Sequence, residues 1–66
     1  MHIILNGDTH EVDSKCSIAD LLTSLDLANK PVVVELDGHA LTRQELDSST
    51  ITQGSRVEIV VLSAGG

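Results

Sequence analysis

The sequence predicts an α+β fold in which one amphipathic helix packs on one face of a small sheet. Three observations lead there: the pair Asn6-Gly7 between two short extended runs, a capping signal at Ser17 that opens an aliphatic stripe, and the β-branched runs at residues 32–34 and 57–61. A lone helix and a lone sheet each have an apolar side to bury, and packing them on one another buries both. The chain has 66 residues, which allows one domain, and a domain near that size buries only about 60% of its unfolded surface. With no Phe, Tyr or Trp, the core must be built from Ile, Leu, Val, Ala and Met.

Residues 1–5 and 9–12 flank Asn6-Gly7, which readily takes the positive φ angles of a tight hairpin turn, so the chain is expected to open with a hairpin. Ser17-Ile18-Ala19-Asp20 matches a capping box: the Ser17 hydroxyl can accept from the Asp20 amide while the Asp20 carboxylate reaches back. A helix begins there. Ile18, Leu21, Leu22 and Leu25 fall at i, i+3, i+4 and i+7 on one face, and Asp20, Thr23, Ser24 and Asp26 turn elsewhere. Asn29-Lys30-Pro31 ends the helical signal, because Pro31 has no N–H to donate and disfavours helical angles at Lys30. Val32-Val33-Val34-Glu35-Leu36, bounded by Pro31 and the turn pair Asp37-Gly38, reads as a third strand. Thr42-Arg43-Gln44-Glu45-Leu46 suits one helical turn, Gln53-Gly54-Ser55 is a turn, and residues 56–62 form the last strand. The expected order is strand, strand, helix, strand, irregular segment, strand, with no repeat or internal linker.

Ten acidic residues against four basic ones give a net charge of −6. That balance keeps a small domain in solution, repels a phosphate backbone or an anionic membrane, and suits a basic patch on a protein partner. No aromatic ring is available to stack on a base, so an aromatic nucleic-acid platform is excluded. Cys16 is the sole cysteine and builds no internal disulfide framework, and the start lacks the charged leader and long apolar core of a signal peptide. No apolar run approaches the ~20 residues that span a bilayer. The expectation is a cytoplasmic protein, monomeric when free, with no nucleic-acid or membrane partner.

The end of the chain is its most informative segment, because Ala64-Gly65-Gly66 directly follows the apolar run at residues 59–62. Residues 1–62 are read as the domain and residues 63–66 as a flexible tail, able to reach on the order of 13 Å at about 3.3 Å per residue. That span is far enough to enter a neighbouring protein's active site. Glycine suits such use: without Cβ it passes a narrow channel and leaves its carbonyl open to attack. The Gly66 carboxylate, with a pKa of ~3.5, is an anion and a poor electrophile at neutral pH, so using it requires an activating step such as adenylation. A frayed end would carry the same glycines.

Alternation places Val57, Ile59 and Val61 on one face of the last strand and Glu58, Val60 and Leu62 on the other, with Ile4 and Val33 joining the second group. A single helix covers one face. Val60, Leu62, Ile4 and Val33 are therefore expected to form an apolar partner-docking patch on the open side, beside the base of the tail; scattered surface aliphatics are also ordinary.

The Asn6-Gly7 hairpin, the capped helix, Val32-Val33-Val34-Glu35-Leu36-Asp37-Gly38, Leu41-Thr42-Arg43, Gly54-Ser55-Arg56-Val57-Glu58-Ile59-Val60 and the final Gly65-Gly66 together resemble the ThiS family, the sulfur carriers of thiamine thiazole synthesis. The resemblance covers the whole chain. It implies the ubiquitin-like β-grasp fold, a mixed four- to five-stranded sheet on one helix with a Gly-Gly tail. It further implies that a partner adenylyltransferase of the ubiquitin-activating type uses ATP and magnesium to convert the Gly66 carboxylate into an acyl-adenylate. A persulfide, drawn from cysteine by a desulfurase, then displaces AMP and leaves a thiocarboxylate on Gly66, from which thiazole synthase takes the sulfur. Gly65 and Ala64 give the tail clearance. On this reading the chain is a carrier and co-substrate rather than an enzyme, with no catalytic residue, metal ligand or permanently bound cofactor of its own. Two positions depart from the family pattern: Gly54-Ser55, where Gly-Asp is frequent, and Thr42, where Pro often precedes the Arg.

Cys16 sits one residue before Ser17, where a hydrophobic staple packs on Leu21, and reads as a small buried apolar group rather than a sulfur-transfer thiol. His2 and His10 could face each other across the hairpin as a weak metal pair, but a closed site takes about four ligands. Asp13, Asp20 and Asp26 read as a solvated helix surround. Competing functions remain open: a carrier for a molybdopterin-type pathway, a ubiquitin-like modifier joined to a target lysine through the same tail, and a passive binding module whose tail is idle.

Overall fold

The computed structural model describes residues 1–62; the expected tail, with Ala64, Gly65 and Gly66, lies outside the described residues. At the first hairpin Asn6 and Gly7 take φ of 49° and 87°, the left-handed pair that a two-residue turn between twisted strands demands. They join β1 (His2–Leu5) antiparallel to β2 (Asp8–Glu11). Asp37 and Gly38 repeat the device with φ of 50° and 85°. They fold β3 (Val32–Leu36) back on the two-residue β4 (His39–Ala40), within the stretch the sequence predicts to be irregular.

Helix α1 (Ile18–Ser24) starts at the predicted capping box, where Asp20 N–H donates to Ser17 Oγ at 3.0 Å and Ser17 N–H donates to Asp20 Oδ2 at 3.1 Å. It ends earlier than the signal at Asn29-Lys30-Pro31 implies. Asp26 turns left-handed at φ 61°, its N–H donates to the Thr23 carbonyl at 3.0 Å, and Leu27 N–H reaches back to the Leu22 carbonyl at 2.8 Å. This is a Schellman stop with Asp in the usual glycine position, so Asp26 closes the helix rather than surrounding it. A second, longer helix than the single turn expected, α2 (Arg43–Ser48), is capped by Thr42 and Glu45 with the same spacing as Ser17 and Asp20.

The last strand, β5 (Arg56–Val61), enters the middle of the sheet, whose order is β2-β1-β5-β3-β4. It runs parallel to β1 and antiparallel to β3, which makes the sheet mixed. Ile3, Val34, Val57 and Ile59 bury their side chains against Ile18, Leu21 and Leu22 of α1, and Ile51, on the segment between α2 and β5, closes the same core. Leu25 is only partly buried, because it caps the helix instead of lying within it.

α2 is tied to β4 at Glu45. Its carboxylate accepts from Thr42 N–H at 2.9 Å and lies 3.2 Å from His39 Nε2. The Thr42 amide first, and His39 after it, hold the carboxyl below its ordinary value. A carboxyl lowered in the folded state contributes stability above its unfolded pKa, and that contribution is lost as pH falls through the lowered folded value. Urea unfolding of the wild type and Glu45→Gln between about pH 7 and about pH 3 is therefore expected to show a stability gap that closes on acidification; a gap constant with pH would contradict this account of the cap.

Candidate functional site

The candidate site centres on the second half of β5 and the open face beside it. Against β3 its ladder is continuous from Leu36↔Val57 to Val32↔Val61, and Leu62 N–H adds a bond to the Pro31 carbonyl at 2.8 Å beyond the strand's end. Against β1 the paired register covers only Ile4↔Arg56 and Leu5↔Val57, because β1 then enters its turn. Asn6 takes over there. Its backbone N–H donates to the Val57 carbonyl at 2.9 Å, Ile59 N–H donates to Asn6 Oδ1 at 2.7 Å, and Asn6 Nδ2 donates to the Ile59 carbonyl at 3.3 Å. The side-chain amide thus replaces one peptide unit of a strand that has already turned away. On the other side Arg56 N–H donates to Asp37 Oδ1 at 2.8 Å. Residues of both hairpin turns therefore bind β5, a role that reading Asn6 and Asp37 as turn formers misses; the signal was present only in their side chains, each a hydrogen-bonding group beside a glycine.

Of the predicted docking residues, Val33 and Val60 lie opposite each other on the open face and are 43% and 58% exposed. Ile4 shares that face but stands opposite Arg56 and is half-buried, separated along β5 from Val60 by Glu58. Leu62 leaves the predicted group. It follows the last residue of β5 and borders a hollow of about 450 Å³ with Leu22, Val32, Leu41 and Leu46 on the helix side. The predicted continuous patch is thus a valine pair with two outliers: the parallel offset of β1 on β5 displaces Ile4, and strand alternation no longer governs Leu62. On the helix face burial stops at Ile59, and Val61 is 48% exposed.

His2 and His10 do not face each other. His2 pairs with Glu11 across the hairpin and its Nε2 lies 3.5 Å from Glu11 Oε1, whereas His10 pairs with Ile3 and so points to the opposite face. Among the described residues no group of three His, Cys, Asp or Glu side chains is placed to hold a metal ion. Cys16 is buried within the core cluster that includes Leu21, and its thiol donates to the Ser17 carbonyl at 3.3 Å. Burial chiefly, then the charges of Asp20 and Asp13, push its pKa up, so the thiol stays protonated and is a poor nucleophile.

A mixed sheet folded over α1, with β5 as its central strand, defines a β-grasp domain. A family model described as the ThiS family matches residues 3–66. The crystal structure of a thiamine biosynthesis protein, ThiS, from Geobacter metallireducens is similar over 100% of both chains, with 33% identity and a TM-score of 0.83. The NMR solution structure of a thiamine biosynthesis protein from the same organism is similar over 100% of this chain and 88% of its own, with 33% identity and a TM-score of 0.82. No curated protein matches the sequence. The chain belongs to the ThiS family, as the sequence resemblance implied.

The two departures from the family pattern have local explanations. Ser55 is buried and its hydroxyl accepts from Thr52 N–H at 3.1 Å, closing the turn before β5, while Thr42 supplies the cap of α2.

Replacing Asn6 by Gly keeps the positive φ and removes only the amide, so Asn6→Gly is expected to lower the unfolding free energy by about 1–3 kcal/mol in urea titration. Asn6→Asp, which retains the acceptor for Ile59 N–H, should lose less. Cys16 is expected to alkylate with iodoacetamide at least ~10-fold more slowly in the native protein than in urea; equal rates would show that the thiol is open.

Proposed function

We propose that the chain is a sulfur carrier of thiazole formation in thiamine biosynthesis, with Gly66 as the residue that carries the sulfur. What supports this most is membership of the ThiS family over residues 3–66, a match that runs through Gly65-Gly66. The reading is also supported by the hydrogen bond from Leu62 N–H to the Pro31 carbonyl, which holds the last described residue against β3.

In this reading a ubiquitin-activating-type adenylyltransferase binds the open face through Val33 and Val60, with Ile4 to one side. Using ATP and magnesium, it joins AMP to the Gly66 carboxylate and releases pyrophosphate. The acyl carbon is then electrophilic. The outer sulfur of a persulfide, formed by a cysteine desulfurase or another donor, attacks that carbon and expels AMP, giving an acyl disulfide. A thiol reductant supplies two electrons to cleave the sulfur–sulfur bond and leaves a thiocarboxylate on Gly66. Thiazole synthase consumes that sulfur as a nucleophile, without release of free sulfide. The domain contributes recognition and reach, and the acid, base and metal chemistry belongs to its partners. No helix among the described residues is long and apolar enough to cross a membrane, and the cytoplasm, where ATP and the partners would be available, is the compartment this reading implies.

The test is chain-dependent pyrophosphate exchange by the adenylyltransferase of the same cells. Full-length chain is expected to support exchange, and deletion of Gly66 to reduce it by about a hundredfold or more, since misplacing a reacting atom by one residue forfeits the aligned geometry. Exchange that survives the deletion would contradict the reading.

A further inference from the structure

We propose that Glu35 and Glu58 form the charge-recognition half of the docking face and receive an arginine side chain of the adenylyltransferase, set beside an apolar side chain that covers Val33 and Val60. The inference rests on the proposed carrier function and names the chemistry of the surface that must meet this face.

Glu35 and Glu58 are directly opposite in the β3–β5 ladder, one step along the same face from the Val33↔Val60 pair. The register is pinned at both ends, by Leu62 N–H on the Pro31 carbonyl and Asp37 N–H on the Arg56 carbonyl. Both glutamates are exposed. Two like charges directly opposite on a sheet are unfavourable. Among the described residues neither carboxylate has a cationic group within ion-pair distance, whereas Glu11 and Glu45 each have a histidine. Arg56 lies on the same face next in line, across from Ile4, so the local field is partly offset but the pair is not bridged. On the β4 side Glu35 faces only the small Ala40, which leaves room for a group to approach from above.

A protein cation answers each of these features. A guanidinium has a planar fork of donors that can bond two carboxylates at once. The exposed valine row beside them supplies the apolar contact that excludes water from such a pair, as in the core of an interface. At longer range the net charge of −6 draws a basic surface in and repels polyanions.

The experiment compares the full-length wild type with Glu35→Gln, Glu58→Gln and the double variant. Affinity for the adenylyltransferase is measured by calorimetry at about 50 and about 200 mM salt, where screening differs strongly, and thermal unfolding of each free chain is recorded. The double variant is expected to bind about 10- to 100-fold more weakly, to show a weaker salt dependence than the wild type, and to unfold at the same or a higher temperature because the repulsion is gone. Unchanged affinity and salt dependence would overturn the proposal, as would a loss of affinity accompanied by a matching loss of thermal stability, which would make the pair structural. If the wild type supports pyrophosphate exchange and the variants bind as well as it does, only this inference fails. If the wild type neither binds nor supports exchange, the carrier reading fails with it.

Discussion

β5 is the middle strand of five, and the hydrogen bonds that hold it on both sides are the constraint on which the rest depends. It is the last element laid down and the one that joins the two hairpins. Each hairpin turn binds it, Asn6 through the amide on Ile59 and Asp37 through the carboxylate on Arg56. A backbone amide withdrawn from water without a partner is costly, so Asn6 allows β1 to turn without stranding the part-buried Ile59 amide, while Asp37 adds a bond to the exposed amide of Arg56. The same bonds carry order outward to Leu62. An element buried on the helix face through Val57 and Ile59, and open on the other through Glu58 and Val60, therefore fixes both the core and the exposed face of the sheet.

Much of this was readable locally. Asn6-Gly7, the capping box at Ser17 and the β-branched run at β3 each carry their structural signal within a few residues, and each element formed where it was expected. What escaped depended on partners distant in sequence or on residues in atypical roles. The stop of α1 at Asp26 uses a left-handed aspartate where glycine is the usual sign. The helix α2 repeats the spacing of the Ser17 box at Thr42 and Glu45, but its length is supported by packing against α1 rather than by a long periodic stripe. The arrangement of the four expected patch residues depends on topology: alternation tells which face a residue takes, but only the register of β1 on β5 decides that Ile4 stands beside Arg56 and not Val60.

The core among the described residues is small and wholly aliphatic apart from Cys16. Cys16 illustrates the division of labour: the one thiol in the chain is sequestered in that core, protonated and bonded to a carbonyl. The carrier reading we propose accordingly places the sulfur chemistry not on this thiol but on the Gly66 carboxylate.

The most direct measurement is the mass of the C-terminal fragment of the protein isolated from its native cells, taken with and without thiol alkylation. Alkylation is essential because exchange of oxygen for sulfur adds nominally the same mass as oxidation of Met1 or Cys16. The carrier account predicts an additional alkylatable sulfur on Gly66. A plain Gly66 carboxylate in cells that are making thiamine, or an isopeptide bond to a second protein at that residue, would contradict it.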